Sequence, residues 1–230
     1  MAGHALPRGH RVSRDRPPGG AAFLSAPAPE AVTAAVGALA AGGLVVFPTE
    51  SVYGLGADAR SAAAVARLVA VRGREEGKPI LVLVRDLEMA GRLSREVSPA
   101  VRRLAACFWP GPLTLVLPAR SGLPEPLTAG TGTIGVRVPA HAIARALVAG
   151  LDAPVTAPSA NPPGADPPRT LGAARAYFGD AVAAYVDGGP LPGGASTVAA
   201  LDGDRVRIIR AGPVSEQQLH AALEDASWRS

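Results

Sequence analysis

The stretch Gly42–Ala59, GGLVVFPTESVYGLGADA, decides how the chain is read. Leu44–Phe47 is a short apolar, β-branched run of the kind that forms a buried strand. It meets Pro48, and Thr49, Glu50, Ser51 and Tyr53 follow before Gly54 and Gly56. A strand end crowded with hydroxyls, a carboxylate and glycines admits two readings. One is a polar strand-to-helix turn with a glycine-rich bend. The other is the C-terminal strand edge at which open α/β sheets bind ligands, with glycines that let the backbone come close to the ligand.

Working outward, helices and strands alternate. Pro29–Ala41 predicts a helix, with proline near its start and Gly42-Gly43 past its end. Ser61 is placed to cap a helix running to Val71, with Val65, Leu68 and Val69 on one face and Gly73 beyond it. Ile80–Val84 is continuously apolar and reads as a strand covered on both faces. Helices are expected over Leu87–Leu93 and, capped by Ser98, over Pro99–Phe108. Strands follow at Leu113–Leu117 and Ile134–Val138, then a helix near Ala140–Ala149 and a short strand through Val155. APSANPPGADPPRT is a proline-rich loop, after which Thr170 caps a helix to Phe178. Strands at Val182–Val186, Thr197–Leu201 and Val206–Ile209 precede a helix opened by the capping box Ser215–Gln218. Late strands without helices between them imply a mixed sheet within one α/β domain. Residues 1–26 are rich in arginine, glycine and proline and read as a disordered tail. The domain is expected over 27–215, with a C-terminal helix and tail over 216–230.

Composition narrows the classes. The 230 residues are 48% hydrophobic but only 4% aromatic, so the core is built of alanine, valine and leucine. One cysteine, Cys107, excludes an internal disulfide; within LAACFWP it reads as a small core residue, and the usage suits a reducing cytoplasm. The net charge of +4 suggests nucleic acid, but its placement weakens that reading. Arg8, Arg11, Arg14 and Arg16 against Asp15 put +3 within the first 20 residues. No run reads as a membrane span or a secretory signal.

Four places can carry chemistry. Thr49–Tyr53 is the first. VRGREEGKP sets Arg72, Arg74 and Lys78, the only lysine of the chain, just past a helix, suited to phosphates or simply to a helix C-terminus. Arg137, inside the apolar strand of GTIGVRVP, needs a partner; Glu50, Asp187 or a bound carboxylate would serve. Ser159 and Asn161 of APSAN follow another strand end, as ligand groups or as the turn that opens the proline loop. The four histidines, His4, His10, His141 and His220, do not have metal-ligand spacing, and no structural metal is expected. No common nucleotide-binding loop is present.

FPTESVYGLGADA, RGREEGKPILVLV, FWPGPLTLVLPA, GTIGVRVP, APSANPPG and RVRIIRAGPVS, in that order, resemble the YrdC-like family of L-threonylcarbamoyladenylate synthases over about Ala31–Ser215. The resemblance implies a twisted, mixed parallel and antiparallel sheet flanked by helices around a basic groove. It implies synthesis of threonylcarbamoyl-AMP from L-threonine, bicarbonate and ATP with Mg²⁺, and release of pyrophosphate. The product would pass to a tRNA threonylcarbamoyl transferase complex, and weak tRNA binding would fit a basic groove. The family's Lys-x-Arg and Ser-x-Asn signatures imply catalytic roles for Arg72, Arg74, Ser159 and Asn161, with arginine at the lysine position. Leu83 stands where many members carry a histidine. Threonine would meet Thr49, Ser51, Tyr53 and Arg137, and the backbone at Thr156 and Ala157. ATP would meet Arg74, Lys78, Thr133, Ser159, Asn161 and Arg210. Two further readings are a related carbamoyl-transfer enzyme with another acceptor, and a non-catalytic RNA-binding module.

Overall fold

The computed structural model describes residues 22–24, 29–75, 77–203 and 205–224. Of the tail expected over residues 1–26, the described part is a short strand, β1 (Ala22–Leu24); the rest, like residues 225–230, lies outside the described residues. Along the chain follow α1 (Pro29–Ala40), β2 (Val45–Pro48), β3 (Tyr53–Gly56), α2 (Ala62–Arg72), β4 (Val82–Leu83), α3 (Leu87–Leu93) and α4 (Pro99–Phe108). Next come β5 (Leu113–Pro118), α5 (Glu125–Thr128), β6 (Thr133–Arg137), α6 (Ala142–Leu151), β7 (Val155–Thr156), α7 (Leu171–Phe178), β8 (Ala184–Val186), β9 (Thr197–Asp202), β10 (Arg205–Arg210) and α8 (Glu216–Glu224). Ser61, Ser98 and Thr170 each accept a backbone N–H three residues on, as their spacing predicts. Ser215 and Gln218 form a reciprocal capping box, Gln218 Oε1 accepting from the Ser215 N–H at 2.9 Å and Ser215 Oγ from the Gln218 N–H at 3.2 Å.

The fold is α/β with mixed strand directions, but the strands form two sheets, not one. The four-stranded sheet runs β1-β8-β2-β3, parallel except for the β2/β3 pair. The six-stranded sheet runs β10-β9-β5-β6-β4-β7, with β5/β9 and β4/β6 parallel and the other pairs antiparallel. The division begins in the opening stretch. Residues 53–56 are not a bend but a strand that turns back on β2, pairing Val45 with Gly56 and Pro48 with Tyr53. The chain therefore closes a hairpin where the sequence allowed a strand-to-helix turn with a glycine-rich bend. Isolated bridges, Gly54 with Ser159 and Asp58 with Val155, join the hairpin and the residues after it to β7 of the other sheet and to the loop that follows β7.

The two glycines serve this hairpin. Phe47, fully buried, lays its ring across β3, and a Cβ on Gly56 would stand 2.9 Å from that ring and 3.1 Å from a Val155 methyl. A side chain there overpacks the seam between the sheets. At Gly54 the Phe47 ring is 3.5 Å from the same hypothetical atom, an ordinary contact, so Gly56 is the stricter of the two.

Two expectations change. The Ile80–Val84 strand shrinks to Val82–Leu83, because Ile80 and Leu81 turn to a cavity wall where the Leu81 carbonyl accepts the Ala157 N–H at 2.8 Å. Cys107 is exposed in the last turn of α4, beside exposed Ala106, and is not a core residue. An apolar run gives no sign of where a helix leaves its packing surface. Among the described residues no helix is long and apolar enough to cross a membrane.

α6 is capped by His141, whose Nδ1 accepts the Ile143 N–H at 3.2 Å. Only the neutral imidazole can accept, and a cation at a helix N-terminus is unfavourable. Burial pushes the His141 pKa down, partly opposed by the charge of Glu50. The folded pKa therefore lies below the unfolded value of about 6.5. The cap's contribution is present above that unfolded value and is lost as pH falls through the depressed folded one. Urea midpoints at pH 7.5 and 5.5 are expected to fall further in the wild type than in His141→Asn, which caps without titrating. Equal falls would contradict the assignment.

Candidate active site

A cavity of about 1150 Å³ lies between the β2–β3 hairpin, the segment after α2, the loop after β7, and strands β5, β6, β9 and β10. Its organising charge is Arg137, the last residue of β6. The side chain is 3% exposed, and Nη1 lies 2.8 Å from Glu50 Oε1. Glu50 is thus the partner chosen from the candidates that the sequence allowed. The pairing is by charge and proximity rather than aligned hydrogen bonds: Arg137 Nε and both Glu50 oxygens are buried without a hydrogen-bond partner. Burial pushes the Arg137 pKa down, Glu50 opposes that, and nearby Arg210 adds to it.

Glu50 reaches Arg137 because the hairpin turn is locked from inside. Thr49 Oγ1 donates to the Val52 carbonyl at 2.7 Å and accepts the Ser51 N–H at 3.3 Å, while the Thr49 N–H also donates to Val52 O at 3.2 Å. Thr49 and Ser51 both line the cavity. Thr49 is committed to the turn, so Ser51, whose Oγ is 3.4 Å from Thr49 Oγ1, is the hydroxyl better placed to meet a ligand.

The opposite wall is cationic side chains held by backbone carbonyls or by carboxylates. Arg72, in the last turn of α2, donates from Nε to the Ser159 carbonyl at 3.0 Å and lies 3.5 Å from Glu75. Arg74 forms a two-pronged pair with Glu125 at 2.9 and 3.0 Å, holding that carboxyl below the usual range. Lys78 pairs with Glu75 and, with Arg72, holds the Glu75 carboxyl low. Thr133 hydrogen-bonds with Thr131 at 2.8 Å. Arg210 donates from Nε to the Ser196 carbonyl at 3.1 Å and from Nη2 to Ser196 Oγ at 3.0 Å; burial pushes its pKa down.

Most of the residues singled out from the sequence converge here: Thr49, Ser51, Arg72, Arg74, Lys78, Thr133, Arg137, Ala157, Ser159 and Arg210 all line the cavity. Three stand behind it. Tyr53 is fully buried, its hydroxyl donating toward Asp187 at 3.0 Å and Gly189 O at 2.9 Å and accepting the Gly188 N–H at 3.0 Å. Thr156 Oγ1 accepts the Ala57 N–H at 2.8 Å and faces the Leu55 carbonyl at 3.2 Å, tying the hairpin strand to β7. Asn161 pins the proline-rich loop, donating to Pro162 O at 2.9 Å and Ala165 O at 2.7 Å, while its buried Oδ1 has no partner. The Thr156 and Ala157 N–H groups are also committed, to Ala57 O at 3.0 Å and Leu81 O at 2.8 Å, which leaves the Ala157 carbonyl as the backbone group for a ligand.

Sequence reasoning missed Ser196 and Thr114, hydroxyls 2.9 Å apart on adjacent elements, and the cavity-lining Arg95 and Arg207. The signal for Ser196 was GGAST, a glycine pair before a strand, in which Gly193 and Gly194 both have φ of 88°. The Gly193 N–H donates to Ser51 O at 2.9 Å, binding this segment to the hairpin.

A family model named for Sua5, YciO and YrdC, and described as "Telomere recombination", matches residues 37–212. The chain belongs to the Sua5/YciO/YrdC family. Among its relatives is a putative threonylcarbamoyl-AMP synthase of Mycobacterium tuberculosis, 39% identical over 193 residues, which are 84% of this chain and 88% of the relative. The crystal structure of Pyrococcus abyssi Sua5 complexed with L-threonine superposes with a TM-score of 0.82 and 34% identity. That match covers 88% of this chain and 60% of the other, so the present chain corresponds to part of it. Escherichia coli YciO matches with a TM-score of 0.78 and 27% identity, over 86% of this chain and 99% of that one.

The Sua5/YciO/YrdC hairpin makes a separable prediction at Tyr53. Burial and Asp187 raise this phenol's pKa to about 12, so it stays protonated and donates. Tyr53→Phe strips a donor from Asp187 and Gly189, and is expected to cost about 1–3 kcal/mol in urea unfolding. Because the hydroxyl lies behind the cavity wall, ligand affinity measured by calorimetry on the folded variant is expected to change less than the affinity of a Ser51→Ala variant. The reverse order would put Tyr53 in the pocket.

Proposed function

We propose that the chain is an L-threonylcarbamoyladenylate synthase, forming threonylcarbamoyl-AMP and pyrophosphate from L-threonine, bicarbonate and ATP for modification of a tRNA adenosine. The observation that carries this reading is Arg137: a guanidinium 3% exposed, on the wall of a large cavity, with Nε buried and unpartnered. Such a group is ready for a carboxylate, and a relative of the same fold is crystallised with L-threonine.

Arg137 would take the threonine carboxylate, with Ser51 and the Ala157 carbonyl orienting the rest of the amino acid. The threonine amine combines with bicarbonate to give a carbamate and water. A carbamate oxygen then forms a bond to the α-phosphorus of ATP, the bond from that phosphorus to the bridging oxygen breaks, and pyrophosphate leaves. Arg74, Lys78, Thr133, Ser159 and Arg210 would hold the nucleotide, with Asn161 fixing the loop that presents Ser159. Arg72 keeps the charge of the family lysine and anchors the Ser159 backbone. These groups act by position and by offsetting negative charge as it moves to the leaving group.

Among the described residues no group of three or more histidine, cysteine, aspartate or glutamate side chains is arranged to hold a metal. Glu75, on the cavity wall, is occupied by Lys78 and Arg72. Mg²⁺ would arrive bound to the triphosphate and would supply charge neutralisation there. The product, a reactive mixed anhydride, would be handed to a tRNA-modifying transferase.

The test is mass spectrometry of a reaction of the purified protein with ATP, Mg²⁺, ¹³C-bicarbonate and L-threonine, with pyrophosphate assayed in parallel. Labelled threonylcarbamoyl-AMP that requires both threonine and bicarbonate is expected; ATP binding without product would contradict the reading. Arg74→Ala is expected to lower turnover by about 100-fold or more, the usual cost of removing a group that stabilises developing charge. A rate near wild type would remove Arg74 from the machinery.

A further inference from the structure

Glu50 does not line the cavity, yet it is the only carboxylate within ion-pair distance of Arg137 among the described residues. It is unusual in its environment. Both oxygens are buried, neither has a hydrogen-bond partner, and the side chain is 18% exposed. A buried carboxylate that only needed to hold an arginine in place would be expected to share two aligned N–H bonds with it. Here one guanidinium nitrogen approaches, while Arg137 Nε and both Glu50 oxygens lack an aligned hydrogen-bond partner, so the pair is matched in charge without being saturated.

The surroundings give that charge a use. Arg137 feels Arg210 as a second nearby cation, and Arg210, though its side chain is exposed to solvent, lines the same cavity. Without Glu50 the floor of the cavity would present two guanidinium groups and draw in any anion. The proposed reaction needs both an amino acid and a triphosphate in one cavity. A floor that attracts every anion would let phosphate or a simple carboxylate occupy the amino-acid position.

We propose that Glu50 is a specificity-determining residue: its charge offsets that of Arg137, so the pocket admits an α-amino carboxylate, a zwitterion, and rejects a bare carboxylate or phosphate. The inference rests on the reading that Arg137 receives the threonine carboxylate. Next to the Glu50–Arg137 pair, a zwitterion places its carboxylate toward the cation and its ammonium within the field of the carboxylate. An anion without the ammonium meets the same cation but also the repulsion of Glu50, undiminished by water in a buried site.

The test compares L-threonine with 3-hydroxybutyrate, which is threonine without its α-amino group, by titration calorimetry on wild type, E50Q and E50D. Wild type is expected to bind threonine at least about tenfold more tightly than the deaminated analogue. In E50Q that ratio is expected to collapse by about tenfold or more as 3-hydroxybutyrate binds better, and E50D, which keeps the charge, retains it. A merely structural role would weaken both ligands together and leave the ratio unmoved, which would overturn the inference. If E50Q does not fold, E50N, the neutral counterpart of E50D, takes its place: collapse of the ratio by about tenfold or more supports the proposal, and an unmoved ratio overturns it. If wild type binds no L-threonine, the synthase reading falls together with this inference. If threonine and the analogue bind equally, only the role of Glu50 falls.

Discussion

One buried ion pair spans the two halves of this molecule. Arg137 ends β6 of the six-stranded sheet, and Glu50 sits in the turn between β2 and β3 of the four-stranded one. Losing one partner of such a pair typically costs about 3–5 kcal/mol, a large share of the 5–15 kcal/mol that holds a domain together. The sequence tolerates this risk where a hydrophobic pair would be safer, and the cavity beside Arg137 is the reason. A cation kept dry in a wall is poorly hydrated and pre-oriented, so a carboxylate that reaches it loses little in competition with water.

The rest of the seam holds that pair in register. The hairpin strand β3 is bonded on one side to β2 and on the other to the proline-rich loop, where the Tyr53 N–H donates to Pro168 O, the Leu55 N–H to Pro158 O and the Ala160 N–H to Tyr53 O, at 2.8–2.9 Å. Ser159, presented between those contacts, is also gripped from the far wall by Arg72. Hairpin, loop and α2 terminus are therefore bonded into one unit around the cavity. Irregular segments can carry chemistry only when their backbone groups are satisfied in this way.

The sequence made the helices and most strands legible because their caps and periodicities are local. Ser61, Ser98, Thr170 and the Ser215–Gln218 box needed nothing beyond four consecutive residues. The hairpin was not legible: YGLG has no alternation of apolar and polar residues, since its glycines answer to the Phe47 ring across the ladder and both its faces are buried. The division into two sheets follows from that same hairpin. Of the site, Thr49, Ser51 and Ser159 were visible as polar residues at strand ends, Arg137 as a charge inside an apolar strand, and Arg72, Arg74 and Lys78 as cations past a helix, while Thr133, Ala157 and Arg210 came only from the family resemblance. Tyr53, Thr156 and Asn161 carry equally polar side chains, but tertiary contacts aim them inward to brace loops, and no local pattern distinguishes the two fates. Ser196 escaped for the opposite reason: its partners Arg210 and Thr114 lie 14 and 82 residues away.

The central claim is that Arg137 reads a carboxylate at the floor of this cavity. It is tested most directly by calorimetric titration of the wild-type protein with L-threonine and with L-threoninol, which keeps the amine and the methyl carbinol but replaces the carboxylate by an alcohol. The account predicts that threonine binds and that threoninol binds at least about tenfold more weakly, the loss expected when a charged, two-pronged partner is removed. Equal affinities would mean that the carboxylate is not what the buried arginine receives, and would contradict the account.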